Sequence, residues 1–344
     1  MGRKLSSRNI IANVKQHAVD NNLPFQVEID VTYRCNAKCF FCFQGNVHED
    51  SRQVLSFSQL SKVLSDLKKM GCFYIGFSGG EPFLREDFLD TVRCAKKLGF
   101  MVSVVTNLQL PSSKDLKTLF KHGVNKVTVS FHSHDVETYC DIFNVSEQEY
   151  HQALSNVRYL IANEHPVSIA STVSQKNFMH MAELKSFFER EGLTSSDINF
   201  NLLIQGKNDI AEYRDSQEFR DYIAANKGLK DNILEQSIDF MCSAGRISCS
   251  ITPFGDVVPC TFFNAIAGNV LESSISEIWH NSHLLKILRS FDAQSFSKCN
   301  ACDYRGYCHV CMANNLNETG RYNIPALDYC SFRKNIAEIL LEGN

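Results

Sequence analysis

From residue 25 to about residue 203 the chain alternates short β-branched or aromatic runs with longer segments whose apolar residues recur every three or four positions. Runs of the first kind read as strands and segments of the second as helices, so the pattern predicts consecutive βα units. The strand-like runs are residues 25–32, 73–77, 100–106, 126–131, 167–173 and 198–203. One predicted helix spans residues 58–70, where Leu60, Val63, Leu64 and Leu67 form a single stripe and Gly71 supplies the stop. Another starts at the capping box Ser146-Glu147-Gln148-Glu149 and runs to about Ala162, turning Ala153, Leu154, Val157 and Leu160 inward. Six units are too few for a closed eight-stranded barrel. A partial (β/α)6 TIM-like barrel or a doubly wound α/β sheet follows, and either places its chemistry at the C-terminal ends of the strands.

The pattern divides the chain into an N-terminal helical extension (1–24), the partial barrel (25–207), a polar helical bridge (208–240) and a cysteine-rich region (241–344) that ends in a short amphipathic helix. The last region is punctuated by Pro253, Gly255, Pro259, Gly268, Gly306, Gly320 and Pro325. It reads as having little apolar core and as depending on bound metal for much of its folding free energy.

Composition adds one strong signal. Lys and Arg number 35 against 38 Asp and Glu, with no long basic run, so nucleic acid and anionic membrane are not expected partners. No stretch approaches eighteen consecutive apolar residues, and residues 1–22 lack the apolar run of a signal peptide, so a cytoplasmic location is expected. In that setting the 14 cysteines are expected to be reduced, and where they cluster they read as metal ligands or redox groups.

Cys35, Cys39 and Cys42 form a CxxxCxxC triplet directly after the first strand. Random placement of the cysteines would give such a triplet roughly two times in a hundred. Three thiolates in one loop can hold zinc with a fourth ligand from elsewhere, His48 being the nearest candidate, or three irons of a cluster. Ser78-Gly79-Gly80-Glu81-Pro82 ends the second strand, pairing glycines that admit close backbone approach with a carboxylate.

The combination of this triplet with the GGEP turn resembles the radical S-adenosylmethionine superfamily, and Phe41 matches the aromatic position before the third cysteine. The resemblance implies that Cys35, Cys39 and Cys42 hold a 4Fe-4S cluster with one open iron, which chelates S-adenosylmethionine while Gly79, Gly80 and Glu81 hold its ammonium. It further implies reductive cleavage to a 5'-deoxyadenosyl radical, hydrogen abstraction from a substrate C–H bond, and a reductase, flavodoxin or ferredoxin as electron donor. Asn107, after Thr106, and Ser130 match positions that line the nucleoside pocket. The family often follows the latter with an Asp-Gly turn, where this chain reads Phe131-His132-Ser133-His134-Asp135. His132 and His134 are candidates for facing substrate, against the alternative of hydrogen-bonded or surface histidines.

The C-terminal cysteines resemble the SPASM extension of such enzymes. By that resemblance Cys242, Cys249, Cys260 and Cys311 hold one auxiliary 4Fe-4S cluster and Cys299, Cys302, Cys308 and Cys330 hold a second. Paired zinc ribbons are the alternative on spacing alone. One departure is that two residues, His309 and Val310, precede Cys311 where the family usually has three. Cys72, Cys94 and Cys140 fit no spacing and read as buried thiols.

SPASM relatives oxidise, crosslink or epimerise ribosomally made peptides and proteins, so the resemblance implies a peptide maturase. Thr261 stands where sulfatase-maturing members carry an aspartate, which argues against that reaction. Only 34 residues precede Cys35, too few for the N-terminal peptide-recognition domain many members carry, so a peptide would be bound directly or through a separate recognition protein. A small-molecule dehydrogenase or epimerase of the aminosugar type is the alternative enzyme. A metal-stabilised binding protein would explain the CxxC pairs but not the triplet with GGEP.

Overall fold

Strand β1 (Gln26–Asp30) alternates polar Gln26, Glu28 and Asp30 with Val27 and Ile29, both fully buried. That period-two pattern sends alternate side chains to opposite faces of a sheet. The computed structural model of the chain describes residues 7–42, 44, 52–202, 216–226 and 242–341. Within it β2 (Tyr74–Ser78), β3 (Met101–Thr106), β4 (Lys126–Ser130), β5 (Val167–Val173) and β6 (Ile198–Leu202) follow in order. Each pairs in parallel with its predecessor, as the six-unit reading expects.

Helix α1 (Ser7–Asp20) precedes the sheet, and α2 (Phe57–Lys69), α3 (Phe88–Lys97), α4 (Ser113–Lys121), α5 (Val136–Phe143), α6 (Glu147–Ala162) and α7 (Met181–Glu191) fill the crossovers. Helix α2 begins where Ser56 Oγ accepts the Gln59 N–H at 3.3 Å and Gln59 Oε1 accepts the Ser56 N–H at 2.8 Å, closing two of the unpaired donors of the first turn. Its predicted stripe of Leu60, Val63, Leu64 and Leu67 is buried, and Gly71 after it adopts φ +84°, which a side chain would strain.

The bridge expected at 208–240 lies largely outside the described residues, within which helix α8 (Gln217–Ala225) falls. It meets the C-terminal helix through Arg220 Nη2, which donates to Asn335 Oδ1 at 2.7 Å.

Beyond it the cysteine-rich region is joined to the barrel by backbone. Strand β7 (Ser248–Ile251) lies parallel to β1 on the edge opposite β2, and β8 (Asp256–Val258) and β9 (Gly268–Asn269) extend it antiparallel, giving the order β6-β5-β4-β3-β2-β1-β7-β8-β9. The expectation of little apolar core is corrected here. Helices α9 (Ile275–Asn281) and α10 (His283–Ser290) add Ile275, Ile278, Trp279 and Leu285 to the barrel core. A second core gathers Phe263, Leu288, Phe296 and Met312, the last on α11 (Met312–Thr319), before α12 (Leu327–Leu341) closes the described chain. Their helical spacing lasts only seven and eight residues in α9 and α10, too short to stand out among the turn residues of this region. Trp279 is fully buried and its Nε1 donates to the Asn22 carbonyl at 2.9 Å, tying this region to the segment before β1. Among the described residues no helix is long and apolar enough to cross a membrane.

Candidate active site and metal centres

The loops that leave β1 and β2 meet backbone to backbone. Gly80 N–H donates to the Thr32 carbonyl at 2.7 Å and Glu81 N–H to the Arg34 carbonyl at 2.8 Å. A Cβ on Gly79 would stand 2.2 Å from the Thr32 oxygen, and one on Gly80 would stand 2.2 Å from that of Arg34. Only glycine fits there, and Gly79 also holds φ +134°. The GGEP turn therefore fixes the strand that leads into Cys35.

Glu81 is fully buried and accepts from Thr106 Oγ1 and the Asn107 N–H, both at 2.8 Å, and from the Phe83 N–H at 3.2 Å. Burial pushes its carboxyl up to about 7 against those three donors. The carboxylate buckles the end of β2 to the end of β3. Asn107 continues the link: its Nδ2 donates to Asn36 Oδ1 at 2.9 Å and lies 4.0 Å from Cys35 Sγ. Asn36 in turn donates to Gln109 Oε1 at 2.6 Å, and Gln109 to the Tyr139 hydroxyl at 2.8 Å.

Cys35, Cys39 and Cys42 are electrostatic neighbours, and the Cys42 N–H closes a turn on the Cys39 carbonyl at 3.0 Å. Burial pushes the Cys35 thiol up to about 11 and that of Cys39 to about 12. Such thiols become thiolates when a cation replaces the proton. Three ligands on one turn, with Cys42 exposed, fit a cluster that keeps one corner open. His48, the candidate fourth zinc ligand, lies outside the described residues.

Phe41 stands edge-on to His132 with ring centroids 5.1 Å apart. His132 is buried, stacks on Phe143 at 4.6 Å and accepts the Thr172 N–H at Nδ1, while burial drives its pKa down to about 3. It is a neutral wedge behind the loop, the hydrogen-bonded alternative of the two readings. His134 lies farther out, half-buried, with Tyr150 Oη donating to its carbonyl at 2.7 Å. Ser130 stands half-buried at the C-terminal end of β4, paired with Ala170.

The sequence reading missed the acids inside the barrel. Glu28 and Asp30 share a face with Gln26, and a Cβ on Gly76, the register partner of Glu28, would stand within bonding distance of the Glu28 carboxylate. Burial raises both carboxyls, that of Asp30 to about 7 with Glu28 adding to the rise. Tyr33 bonds Asp30 and turns its ring edge to Phe254 at 5.7 Å, while Asp256 pairs with Arg52 at 2.6 Å. The alternation in β1 is the signal that would have found them.

In the C-terminal region Cys299, Cys302, Cys308 and Cys330 are mutual electrostatic neighbours. The Cys302 N–H closes on the Cys299 carbonyl at 3.2 Å, and Cys330 comes from α12. Arg333, one turn further on and buried, faces Cys308: burial raises that thiol and the guanidinium opposes the rise. Cys242, Cys260 and Cys311 form a second group, in which burial pushes Cys260 up to about 12 and the other two add to the rise. Cys249, expected as the fourth member, is instead buried in the barrel core beside Cys72. Of the unassigned thiols, Cys72 is buried and Cys94 and Cys140 are half-buried. Among the described residues no three His, Cys, Asp or Glu side chains converge on a single metal ion.

A parallel half-barrel with a three-cysteine loop at its catalytic end, followed by grouped cysteines, defines a radical S-adenosylmethionine enzyme with a SPASM domain. The chain belongs to that family, matching the Radical SAM superfamily over residues 29–187 and the SPASM iron-sulfur cluster-binding domain over residues 242–303. The family's cofactors are S-adenosylmethionine, a 4Fe-4S cluster and auxiliary iron-sulfur clusters. Among relatives, the AdoMet-dependent heme synthase of Methanosarcina barkeri is 23% identical, covering 91% of this chain and 97% of that protein. The mycofactocin maturase MftC of Mycobacterium tuberculosis is 27% identical, covering 84% and 78%. The fold is shared with SuiB of Streptococcus suis bound to its precursor peptide SuiA, at TM-score 0.71 and 19% identity over 95% of this chain and 82% of SuiB. It is also shared with native anSMEcpe bound to AdoMet, at TM-score 0.70 and 16% identity over 93% of this chain and 97% of that chain.

Proposed function

We propose that the chain matures a ribosomally made peptide, abstracting hydrogen from one of its C–H bonds to introduce a crosslink, an oxidation or an inverted centre. The single observation that carries this reading is the open side of the barrel. In the described sheet β6 is the terminal strand and β9 the other terminus, so the strands do not close into a ring. An extended chain can reach the strand ends laterally, where a closed mouth would admit only a compact ligand. The relationship to a mycofactocin maturase agrees with it.

In this reading the cluster and S-adenosylmethionine supply, when bound, a 5'-deoxyadenosyl radical that takes the hydrogen atom. Cys35, Cys39 and Cys42 hold the cluster. The backbone of Gly79 and Gly80 receives the ammonium, Glu81 holds Asn107 against the loop, and Phe41, Asn107 and Ser130 line the nucleoside. Tyr139 and Gln109 brace Asn36 from below and keep water from the loop. Cys299, Cys302, Cys308 and Cys330 would hold one of two auxiliary clusters in the SPASM region, which would supply electron exchange with the substrate. An external flavodoxin or ferredoxin supplies the reducing electron.

The test is anaerobic incubation of the reconstituted, reduced enzyme with S-adenosylmethionine and a co-encoded peptide. A mass change on the peptide, with 5'-deoxyadenosine formed by the parent and not by Cys39→Ala, is the expected result. Heme formation by the same preparation with no change in any peptide would favour the reaction named for the archaeal relative, which the coverage of that match keeps in view. Turnover of an aminosugar instead would favour a small-molecule dehydrogenase or epimerase.

A further inference from the structure

The two cysteine groups of the C-terminal region are unequal. Cys299, Cys302, Cys308 and Cys330 make four, whereas Cys242, Cys260 and Cys311 make three. Cys249 does not join the smaller group, because it packs in the barrel core on the same face as Val27, its register partner in β1. His309 stands in the chain between the groups, one residue after Cys308 and two before Cys311. Its ring meets Tyr329, buried on α12 next to Cys330. The electrostatic neighbours of Tyr329 include Cys242 and Cys311 of the smaller group as well as Cys308 of the larger. Tyr329 Oη donates to the His309 carbonyl at 3.3 Å and lies 3.0 Å from His309 Nε2. With the one hydroxyl proton on the carbonyl, Nε2 is the ring N–H that donates to Oη, and Nδ1 keeps its lone pair. Nδ1 is buried and has no hydrogen-bond partner among the described residues. Arg333, the charged neighbour of this ring, bonds Cys308 instead. A buried polar atom without a partner is costly, and an imidazole fixed through one nitrogen is how proteins present the other to a metal.

We propose that His309 Nδ1 is the fourth protein ligand of the first auxiliary cluster, completing a three-cysteine, one-histidine set with Cys242, Cys260 and Cys311, and that Tyr329 is the positioning residue that orients it. This rests on the radical-enzyme reading of the SPASM region. The larger group already has four thiolates, so the free lone pair falls to the group of three. Imidazole is a ligand that iron accepts beside thiolates. A neutral ring in place of an anionic sulfur leaves the cluster less negative and raises its potential, which makes it the better electron acceptor of the two.

The test uses the full-length chain, grown with 15N-histidine and reconstituted without oxygen. A Cys35→Ala, Cys39→Ala, Cys42→Ala background removes the catalytic cluster, so that every iron signal is auxiliary, and should hold about eight irons, the content of two four-iron clusters. Its reduced-state pulsed EPR spectrum should carry the coupling of a 15N bonded directly to iron. Adding His309→Cys supplies a fourth thiolate, so the irons should stay at about eight while the nitrogen coupling disappears and one midpoint potential moves to more negative values. Tyr329→Phe should keep the iron and change the coupling, since the ring loses the bond that orients it. A spectrum of the unsubstituted His309 chain without a bonded 15N, or a coupling that survives His309→Cys, would overturn the inference while leaving the enzyme reading standing. An unchanged coupling in Tyr329→Phe would remove Tyr329 from its part in it. A chain with all its cysteines that holds four irons or fewer would overturn both the inference and the enzyme reading.

Discussion

The carboxylate of Glu81 accepts the backbone N–H of Asn107 at 2.8 Å across the gap between the second and third strand ends. Asn107 in turn approaches the sulfur of Cys35. The acid that the family resemblance sets against the ammonium of S-adenosylmethionine thus also holds three loops in one geometry, and the neighbouring glycines do the same on the side of β1.

Gly80→Ala tests that geometry. The added methyl meets the Arg34 carbonyl oxygen, which cannot move without moving Cys35. The S-adenosylmethionine-responsive EPR signal should fall about tenfold, a cost of about 1.4 kcal/mol or more, while far-UV circular dichroism stays native. A full-strength signal would show that the two loops tolerate separation.

Asp30 makes stability depend on pH in a defined direction. Its folded carboxyl titrates at about 7 against an ordinary 3.8, so the folded chain holds the proton more tightly than the unfolded one. Stability from this group is full below pH 3.8, declines as pH rises, and is gone above about 7. The total is about 4 kcal/mol at most. Glu28 and Glu81 act with the same sign. Urea midpoints of the apoprotein between pH 5 and 8 should therefore fall less steeply for Asp30→Asn than for the parent, and parallel slopes would refute the assignment.

Arg333 faces Cys308 from inside the fold. A buried guanidinium beside a cluster sulfur favours the reduced, more negative state. Arg333→Leu should lower the midpoint potential of the proposed second auxiliary cluster by roughly tens of millivolts with iron content intact. A redox titration monitored by EPR measures it, and an unchanged potential removes Arg333 from the role.

Trp279→Phe removes the bond to the Asn22 carbonyl and the stacking of Arg289, whose guanidinium carbon lies 4.3 Å from the indole centroid. Leaving a half-buried carbonyl without that donor and a gap beside Trp279 should cost about 2–3 kcal/mol in urea unfolding. A cost below about 0.5 kcal/mol would show that the C-terminal region stabilises the barrel by other contacts.

Local periodicity made the barrel legible: β5 spans residues 167–173 as read, and the helix expected at 58–70 is Phe57–Lys69. The triplet and the GGEP turn were legible because their chemistry demands fixed residue types at short spacing. What the sequence concealed was partnership. Nothing local says that Ser248–Ile251 pairs with β1, since strand pairing is decided by surfaces more than two hundred residues apart. The family resemblance groups Cys249 with Cys242, Cys260 and Cys311, while the face it occupies is set by that pairing. Glu28 and Asp30 were visible in the β1 alternation but carried no motif.

Because β1 feeds the cysteine loop at one end and is hydrogen-bonded along its length to β7, the catalytic and auxiliary thiols are mounted on one continuous ladder. If both sets of thiols hold clusters, as proposed, the span between them is set by that backbone. In the proposed function a substrate would bridge that interval, so its length would become a criterion of selection.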